Sequence, residues 1–409
     1  MSENTTATTD STATSRNPLR SRALLGAMFL MATSAIGPGF ITQTTTFTAE
    51  LGAAFAFAIV ASILVDVALQ LNVWRVIGVS GLRAQELGNR VLPGLGRLLA
   101  AFVVVGGLVF NVGNVAGTGL GLDALLGLDP RIGGAISALV GIGVFLSHRA
   151  GVALDRIVVV LGVLMIGMTT YVAIVSKPPV GEALRNAVIP DQISFLAITT
   201  LIGGTVGGYI TYAGAHRLVD AGVTGPDRVG EITRGSVTGI LITGLMRILL
   251  FLAVLGVVAG GAVLAKENPA ASAFQHAAGE VGLRVFGVIL WAAAITSVIG
   301  ASYTSVSFLA GAASPRRRNL LTVVFIAVST LFFLVAGTPP VQLLIFAGAF
   351  NGLILPIGIA VVLWVALRRR DLLGGYRYPR WLVAVGVLAW LVTIYLGWKS
   401  IASLSTIWA

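Results

Sequence analysis

The residues that decide the fold are Gly37-Pro38-Gly39-Phe40, which stand near the middle of an apolar segment. Proline removes a backbone hydrogen-bond donor and clashes with the preceding turn of a helix, and flanking glycines add backbone freedom. The surrounding segment, residues 24–48, is long enough to cross a membrane as a helix. The sequence therefore predicts a membrane helix that is broken near its centre.

The composition of the whole chain is typical of a membrane protein. Of its 409 residues, 56% are hydrophobic and only 11% are charged, and the mean hydropathy is +0.94. Soluble domains carry about 25% charged residues, and disordered chains are poor in apolar ones. Because the chain has no cysteine, disulfides, iron–sulfur clusters and thiolate zinc sites are excluded. We predict an all-α protein with several membrane-spanning helices.

Apolar segments of about 18 or more residues mark membrane helices, and the chain has eleven such segments. The predicted spans are residues 24–48, 51–73, 98–121, 132–147, 157–175, 194–214, 237–264, 283–312, 320–336, 341–367 and 381–398. Residues 1–20 are rich in Ser and Thr and are predicted to form a disordered cytoplasmic tail. The first span lacks an obvious small-residue cleavage site, so we expect a retained helix rather than a signal peptide.

The positions of Lys and Arg predict the orientation in the membrane. Most of them lie in the N-terminal tail and after the even-numbered spans, as in Arg316-Arg317-Arg318 and Arg368-Arg369-Arg370. Cytoplasmic loops carry such an excess, so we expect a cytoplasmic N-terminus and an extracellular C-terminus in the plasma membrane. The net charge of +11 then reflects orientation and not a nucleic-acid partner. Trp74, Trp381 and Trp398 stand at span ends and are predicted to be interfacial anchors.

A second glycine-rich interruption, residues 203–208 (Gly-Gly-Thr-Val-Gly-Gly), lies in the sixth predicted span. Interrupted helices at corresponding places in two halves of a chain indicate a transporter built from inverted repeats. Gly39-Phe40-Ile41-Thr42 is weakly echoed by Gly208-Tyr209-Ile210-Thr211. The same glycines would also suit close packing between helices, and this alternative stays open.

This pattern predicts five parts along the chain. They are the tail (1–20), a first repeat of five helices (21–176), an extracellular loop (177–193), a second repeat of five helices (194–367), and helix 11 with the C-terminus (368–409). A channel or a solute sensor without transport activity would be competing classes. A channel needs a continuous pore rather than paired broken helices, so the pattern favours a secondary transporter with alternating access.

Five short motifs are spread over residues 24–365. They are Leu69-Gln70-Leu71, Ile77-Gly78-Val79-Ser80-Gly81 with Glu86, Val115-Ala116-Gly117-Thr118-Gly119, Asn351-Gly352 and Leu355-Pro356. With these motifs the chain resembles the natural-resistance-associated macrophage protein (NRAMP) family of proton-coupled divalent metal transporters. This resemblance implies a LeuT-type fold of eleven or twelve helices, with a 5+5 inverted repeat and broken helices 1 and 6.

The metal and proton ligands of that family are missing from the matching positions. Its Asp-Pro-Gly-Asn motif reads Gly37-Pro38-Gly39-Phe40 here, and its Met-Pro-His motif reads Gly207-Gly208-Tyr209, with Gly214 in place of a second His. An acidic pair of the family's proton route corresponds to Asn111 and Asn114. The chain therefore resembles a divergent branch with a different substrate.

The predicted binding site combines backbone amides with neutral side chains. Helix N-termini present free amide donors and a partial positive charge, which favours a small organic carboxylate, such as an amino acid or a cyclic derivative like oxoproline. The alternative is a divalent cation, either Mn²⁺ or a hydrated ion such as Mg²⁺. The predicted site residues are Gly37, Pro38, Gly39, Phe40, Thr42, Gln43, Asn111, Asn114, Thr205, Gly207, Gly208, Tyr209, Tyr212 and Asn351.

Other polar residues in or near the spans are candidates for ion coupling or gating. They are Glu50, Asp66, Arg247, His216, Ser302 and Thr304. For Asp66 and Arg247 a structural ion pair or an interfacial anchor fits as well, Glu50 suits a helix boundary, and His216 suits a loop. The coupling ion is H⁺ or Na⁺. No pattern of an enzyme, a cofactor site or a resident metal site is present, the expected partners are a solute and the lipid bilayer, and the oligomeric state is open.

Overall fold

The computed structural model describes residues 24, 26–28, 31–32, 34–310, 314–402 and 407, with backbone alone for 148–158 and 310. Within these residues the chain consists of helices and short connections, without a strand. The prediction of an all-α protein is confirmed for this part of the chain. The predicted disordered tail, residues 1–20, lies outside the described residues.

The helices are numbered here in chain order from the first break. They are α1 (Pro38–Leu51), α2 (Phe55–Ser80), α3 (Ala84–Val91), α4 (Leu95–Leu126), α5 (Pro130–Leu146), α6 (His148–Val175), α7 (Val180–Val188), α8 (Phe195–Val206), α9 (Ile210–Asp220), α10 (Val229–Ala259), α11 (Pro269–Ala310), α12 (Pro315–Ala336), α13 (Pro340–Arg368) and α14 (Arg380–Ile401). Upstream of α1, the described residues from position 24 to Ala35 are also helical. Helix α11 is kinked at Ala278 and Gly279.

Eight stretches of helix in the described chain are long and apolar enough to cross a membrane. A ninth is obtained if Val159–Val175 and Val180–Val188, which are bent by 107°, count as one span. By this criterion α1 and α2 form one stretch, Pro38–Ser80, and α5 is shorter than required. The chain is therefore a multi-span membrane protein, and the total of eleven spans stays a prediction.

Two connecting segments differ from the sequence-based expectation. The predicted loop 177–193 contains α7, whose Ala183 and Asn186 are buried and which packs against α2. This helix has nine residues, too few to register as a span. The sixth predicted span was expected to end at residue 214, but α9 continues to Asp220, so His216 lies in a helix and not in a loop.

Close helix packing accounts for many of the glycines, as the alternative interpretation held. Helices α4 and α11 pack along much of their length. A Cβ atom on Gly121 would lie 2.5 Å from the Trp291 backbone nitrogen, so only glycine allows this approach. The expected interfacial role of Trp74 is wrong, because its side chain is fully buried against Gly214.

Candidate solute-binding site

The first helix break is formed by Ile36 and Gly37. Gly37 is extended, with φ −72° and ψ −179°, and α1 begins at Pro38. The first helical hydrogen bond after the break runs from the Ile41 amide to the Gly37 carbonyl, at 3.3 Å. The amides of Gly39 and Phe40, in the first turn of α1, therefore have no acceptor within the helix. Pro38 and Gly39, which we expected to be unwound, start the helix instead.

The second break is formed by Gly207, Gly208 and Tyr209, between α8 and α9. Gly207 is extended, and Gly208 has a positive φ of 56°, a conformation that glycine adopts without strain. No backbone acceptor within the described residues receives the amides of Gly208 or Tyr209. Residues 203–206, which we expected to be unwound as well, belong to the last turn of α8.

Glycines allow four helices to converge beside the two breaks. A Cβ atom on Gly204 of α8 would overlap the side-chain amide of Gln43 on α1. A Cβ atom on Gly208 would overlap the Asn351 amide on α13, and one on Gly117 of α4 would overlap the Pro38 ring. The two breaks are therefore held close to the same pair of buried amide side chains.

The two amide side chains, Gln43 and Asn351, are fully buried, and only the nitrogen of each forms hydrogen bonds within the described structure. Gln43 Nε2 donates to the Leu344 carbonyl at 2.8 Å, and Asn351 Nδ2 donates to the carbonyls of Gly106 and Ala347 at 3.0 and 2.9 Å. The Oε1 atom of Gln43 and the Oδ1 atom of Asn351 have no partner within the described structure. Buried polar atoms are nearly always paired, so these two acceptors are candidates for contacts with a bound solute.

An aromatic pair and a third amide lie next to these acceptors. The rings of Phe110 on α4 and Tyr209 meet at right angles with centroids 5.5 Å apart, and a Cβ atom on Gly39 would contact Phe110 at 3.6 Å. The Tyr209 hydroxyl lies near the side chains of Ser34 and of Asn114, one turn after Phe110. Neither this hydroxyl nor Asn114 Nδ2 forms a hydrogen bond of ordinary geometry among the described residues. The site therefore offers hydrogen-bond donors as well as acceptors, and none of these side chains is charged.

Comparison with known proteins identifies the family. The model of the family described as natural resistance-associated macrophage protein-like matches residues 28–403. The chain belongs to the NRAMP family. Among its relatives, the uncharacterized membrane protein YcsG of Bacillus subtilis is 52% identical over 91% of this chain and 93% of its own length. An uncharacterized membrane protein of Haemophilus influenzae is 50% identical over 94% of this chain and 97% of its own length.

Solved structures confirm the fold of this NRAMP-family chain. A manganese transporter of Eremococcus coleocola superposes with a TM-score of 0.74 at 19% identity, over 94% of this chain and 87% of the transporter. MhsT in complex with L-phenylalanine superposes with a TM-score of 0.67 at 15% identity, over 93% of this chain and 98% of MhsT. At these identities the similarity concerns the fold alone, which is of the LeuT type.

Not all predicted site residues of this NRAMP-family protein lie at the breaks. Asn111 Nδ2 donates to Ser302 Oγ at 3.1 Å and to Ser329 Oγ at 3.0 Å, so it joins α4 to α11 and α12. Thr205 donates to the Leu201 carbonyl in its own helix. The remaining members, Phe40 and Thr42 on α1 and Tyr212 on α9, are buried.

Asp66 and Arg247 form an ion pair inside the protein. Arg247 Nη2 on α10 lies 2.7 Å from Asp66 Oδ2 on α2, and the two side chains are 1% and 2% exposed. The interpretation that these side chains reach the membrane surface is wrong, because both are buried. Glu50 lies at the exposed end of α1, and Thr304 is buried with an unpaired hydroxyl.

His216 belongs to a hydrogen-bonded cluster that the sequence did not reveal. Its Nε2 atom accepts from the Ala84 amide at 3.2 Å, and its Nδ1 atom lies 3.3 Å from Ser307 Oγ, an arrangement that fits a neutral ring donating from Nδ1. One turn further along α9, Asp220 accepts from Arg83 at 2.5 Å and from the Tyr303 hydroxyl at 2.6 Å. These contacts tie α9 to α3 and α11, across sequence separations that no local pattern signals.

The chemistry of the site is that of neutral hydrogen bonding. Within the described residues, no three His, Asp or Glu side chains come together as the ligands of a metal ion would. The positions of the family's metal-binding motifs lie at the two breaks, where this chain has Gly37, Phe40, Gly207 and Tyr209. The arrangement can bind a polar solute through main-chain amides, amide oxygens and the Tyr209 hydroxyl.

Proposed function

We propose that this NRAMP-family protein is a secondary active transporter of the plasma membrane that works by alternating access. Its organisation would be eleven spans in a 5+5 inverted repeat, with repeats at 21–176 and 194–367. The N-terminus would be cytoplasmic and the C-terminus extracellular. The LeuT-type fold and the Lys and Arg distribution support this arrangement.

The solute that fits best is a small organic carboxylate of the amino-acid type. The observation that carries this proposal is the pair of helix breaks, whose amides at Gly39 and Phe40 and at Gly208 and Tyr209 have no backbone acceptor among the described residues and lie among neutral side chains. Free amides at a helix N-terminus bind anions, and no acidic side chain among the described residues of the site opposes them. A carboxylate bound there needs no side-chain cation.

The unpaired side-chain atoms select for a second polar group on the solute. The acceptors Gln43 Oε1 and Asn351 Oδ1 suit an N–H group, and the Asn114 amide nitrogen and Tyr209 hydroxyl suit a carbonyl oxygen. Oxoproline has a carboxylate, a ring N–H and a ring carbonyl in one small molecule, so it matches this set. An amino acid would satisfy the carboxylate and N–H parts.

A divalent cation is the second candidate substrate, favoured by the similarity to a manganese transporter. Gln43 Oε1 and Asn351 Oδ1 are neutral oxygen ligands, which hard cations accept. Without a carboxylate, such a site suits a hydrated ion of the Mg²⁺ type better than bare Mn²⁺. The coupling ion, H⁺ or Na⁺, is a further open part of the proposal.

The test is thermal stabilisation of the purified protein by a panel of oxoproline, amino acids, simple carboxylates, Mn²⁺ and Mg²⁺, followed by uptake into proteoliposomes. A ligand that binds only the folded protein raises the unfolding temperature. We expect a carboxylate with an N–H group to stabilise the protein and to be taken up with saturation. Saturable uptake of Mn²⁺ at micromolar concentration, with no response to any carboxylate, would replace this function by the second candidate.

A further inference from the structure

A separate cavity of about 770 Å³ lies at the end of α1 that is remote from the first break. Its walls come from the last turn of α1, the start of α8, the segment 258–269 and the first turns of α13. The polar side chains in these walls are Thr46, Glu50, Lys266, Glu267 and Gln342. The rest of the lining is mainly apolar.

This cavity is distinct from the candidate site at the breaks. Glu50 lies eleven residues after Gly39 on the same helix, which corresponds to about 16 Å along the axis. Between them, Gln43 is fully buried and bonded to the Leu344 carbonyl. A small solute in the cavity therefore cannot touch the amides of the first break at the same time.

The charged groups of the cavity are not neutralised by each other. Lys266, Glu50 and Glu267 form no ion pair within the part of the chain that the structure describes. Glu50, Lys266 and Glu267 are exposed residues in the wall of a largely apolar cavity, so their charges are open to a ligand and are screened by salt. The cavity therefore offers one ammonium group and two carboxylates to a solute.

This set of charges fits a solute that has both a carboxylate and an N–H donor. Lys266 would bind the carboxylate of the solute, and Glu50 would accept a hydrogen bond from its N–H group. A plain carboxylate would be repelled by the two acidic side chains, and a plain amine would be repelled by Lys266. Only a solute with both groups gives Lys266 and one of the two carboxylates a partner at the same time.

We propose that this outer cavity is a second solute-binding site, in which an amino-acid-type solute binds to Lys266 and Glu50 before it moves to the helix breaks. The proposal rests on the function proposed above, because it names a further site for the same class of solute. Lys266 then determines how readily carboxylates are captured, and the breaks determine what is transported.

The absence of cysteine in the chain allows a direct test of the cavity's electrostatics. A single Gln342→Cys variant places one thiol in the wall, and its rate of modification by an anionic and a cationic methanethiosulfonate is compared at low ionic strength. Adding Lys266→Gln should lower the ratio of anionic to cationic rate about tenfold. Lys177→Gln, which removes the same charge from an exposed lysine outside the cavity wall, should leave the ratio unchanged.

The second part of the test compares three ring compounds as protecting solutes: L-proline has both groups, cyclopentanecarboxylate has only the carboxylate, and pyrrolidine has only the N–H group. We expect L-proline to protect the Gln342→Cys thiol, the other two to protect at least fivefold less, and Lys266→Gln to remove the difference. Protection should persist with Gly39→Val at the break, even if transport is lost, which separates this inference from the proposed function. The inference is overturned if L-proline gives no protection up to its solubility limit, if Lys266→Gln changes neither readout, or if Gly39→Val abolishes protection.

Discussion

The two helix breaks lie side by side but are built differently. At the first, one extended glycine, Gly37, precedes a proline that cannot donate a helical hydrogen bond. At the second, three residues interrupt the helix, and Gly208 adopts a positive φ of 56° against the Asn351 side chain. The first break is thus fixed by local backbone chemistry, and the second by a contact with a distant helix.

This difference determines how much each break tolerates. A Cβ atom on Gly37 would lie 2.8 Å from Ser297 Oγ, the terminal atom of a small side chain. A Cβ atom on Gly208 would overlap the Asn351 amide, which is held by two hydrogen bonds. We therefore expect the second break to be far less tolerant of substitution than the first.

The largest effect is expected for Gly208→Ala. The left-handed backbone and the overlap with Asn351 together should lower the free energy of unfolding by about 3 kcal/mol. Thermal unfolding of the purified protein in detergent measures this loss as a drop in the midpoint temperature. If Gly208→Ala unfolds at the same temperature as Gly37→Ala, the second break is not the less tolerant of the two.

A double-mutant cycle isolates the contact that we hold responsible. Asn351→Ala removes the side chain that Gly208→Ala would strike, so the double variant should be more stable than the sum of the two single losses by about 1.5 kcal/mol. Thermal unfolding of the unmodified protein, the two single variants and the double variant gives the four free energies of unfolding from which this coupling is calculated. Strictly additive losses would mean that the backbone conformation alone, and not Asn351, makes the second break intolerant.

Gly39→Val tests whether the first break binds the solute. A Cβ atom there would make ordinary contacts, 3.4 Å from Gln43 Nε2 and 3.6 Å from Phe110, and thermal unfolding checks that the two γ-methyl groups of valine are also accommodated. The added methyl groups would cover the free amides of α1, and affinity for the solute found in the stabilisation panel should fall at least about tenfold. Isothermal titration measures the affinity, and unchanged binding would remove α1 from the site.

The smallest effect is expected for Gly37→Ala, which should cost about 1 kcal/mol or less. At a helix N-cap alanine is less favourable than glycine by roughly 0.5–1 kcal/mol, and the atom nearest to the added methyl group is the hydroxyl of the small Ser297 side chain. Gly143→Ala is the matched control, since a Cβ there meets nothing within 4 Å and should stabilise α5 slightly. A loss at Gly37 as large as that at Gly208 would show that both breaks depend on their neighbours.

The sequence predicted the features that depend on local chemistry. Gly37-Pro38 predicted the position of the first break to within one residue, and the glycines of the sixth predicted span predicted the position of the second to within one turn. The resemblance to the NRAMP family, drawn from short motifs such as Asn351-Gly352, is confirmed by the family match. The role of the site residues stays a prediction, although the structure brings Gln43, Tyr209 and Asn351 together.

Features that depend on tertiary contacts could not be predicted. Asn111 and Asn114 look alike in the sequence, but one bonds to two serines of neighbouring helices and the other lies beside Tyr209 with its amide nitrogen free among the described residues. Trp74 stands at a predicted span end, yet Gly214 makes room to bury it. The extension of α9 past residue 214 places Asp220 beside Arg83 and Tyr303, which are far away in sequence.

The ion pair between Asp66 and Arg247 has a mechanical consequence. It fastens α2 to α10 in a dry interior, where a separated guanidinium or carboxylate would find no water. If one helix moved past the other by a single turn, about 5.4 Å, Asp66 and Arg247 would separate and each buried charge would lose its partner. In the proposed alternating-access cycle, we expect these two helices to move together as one rigid body.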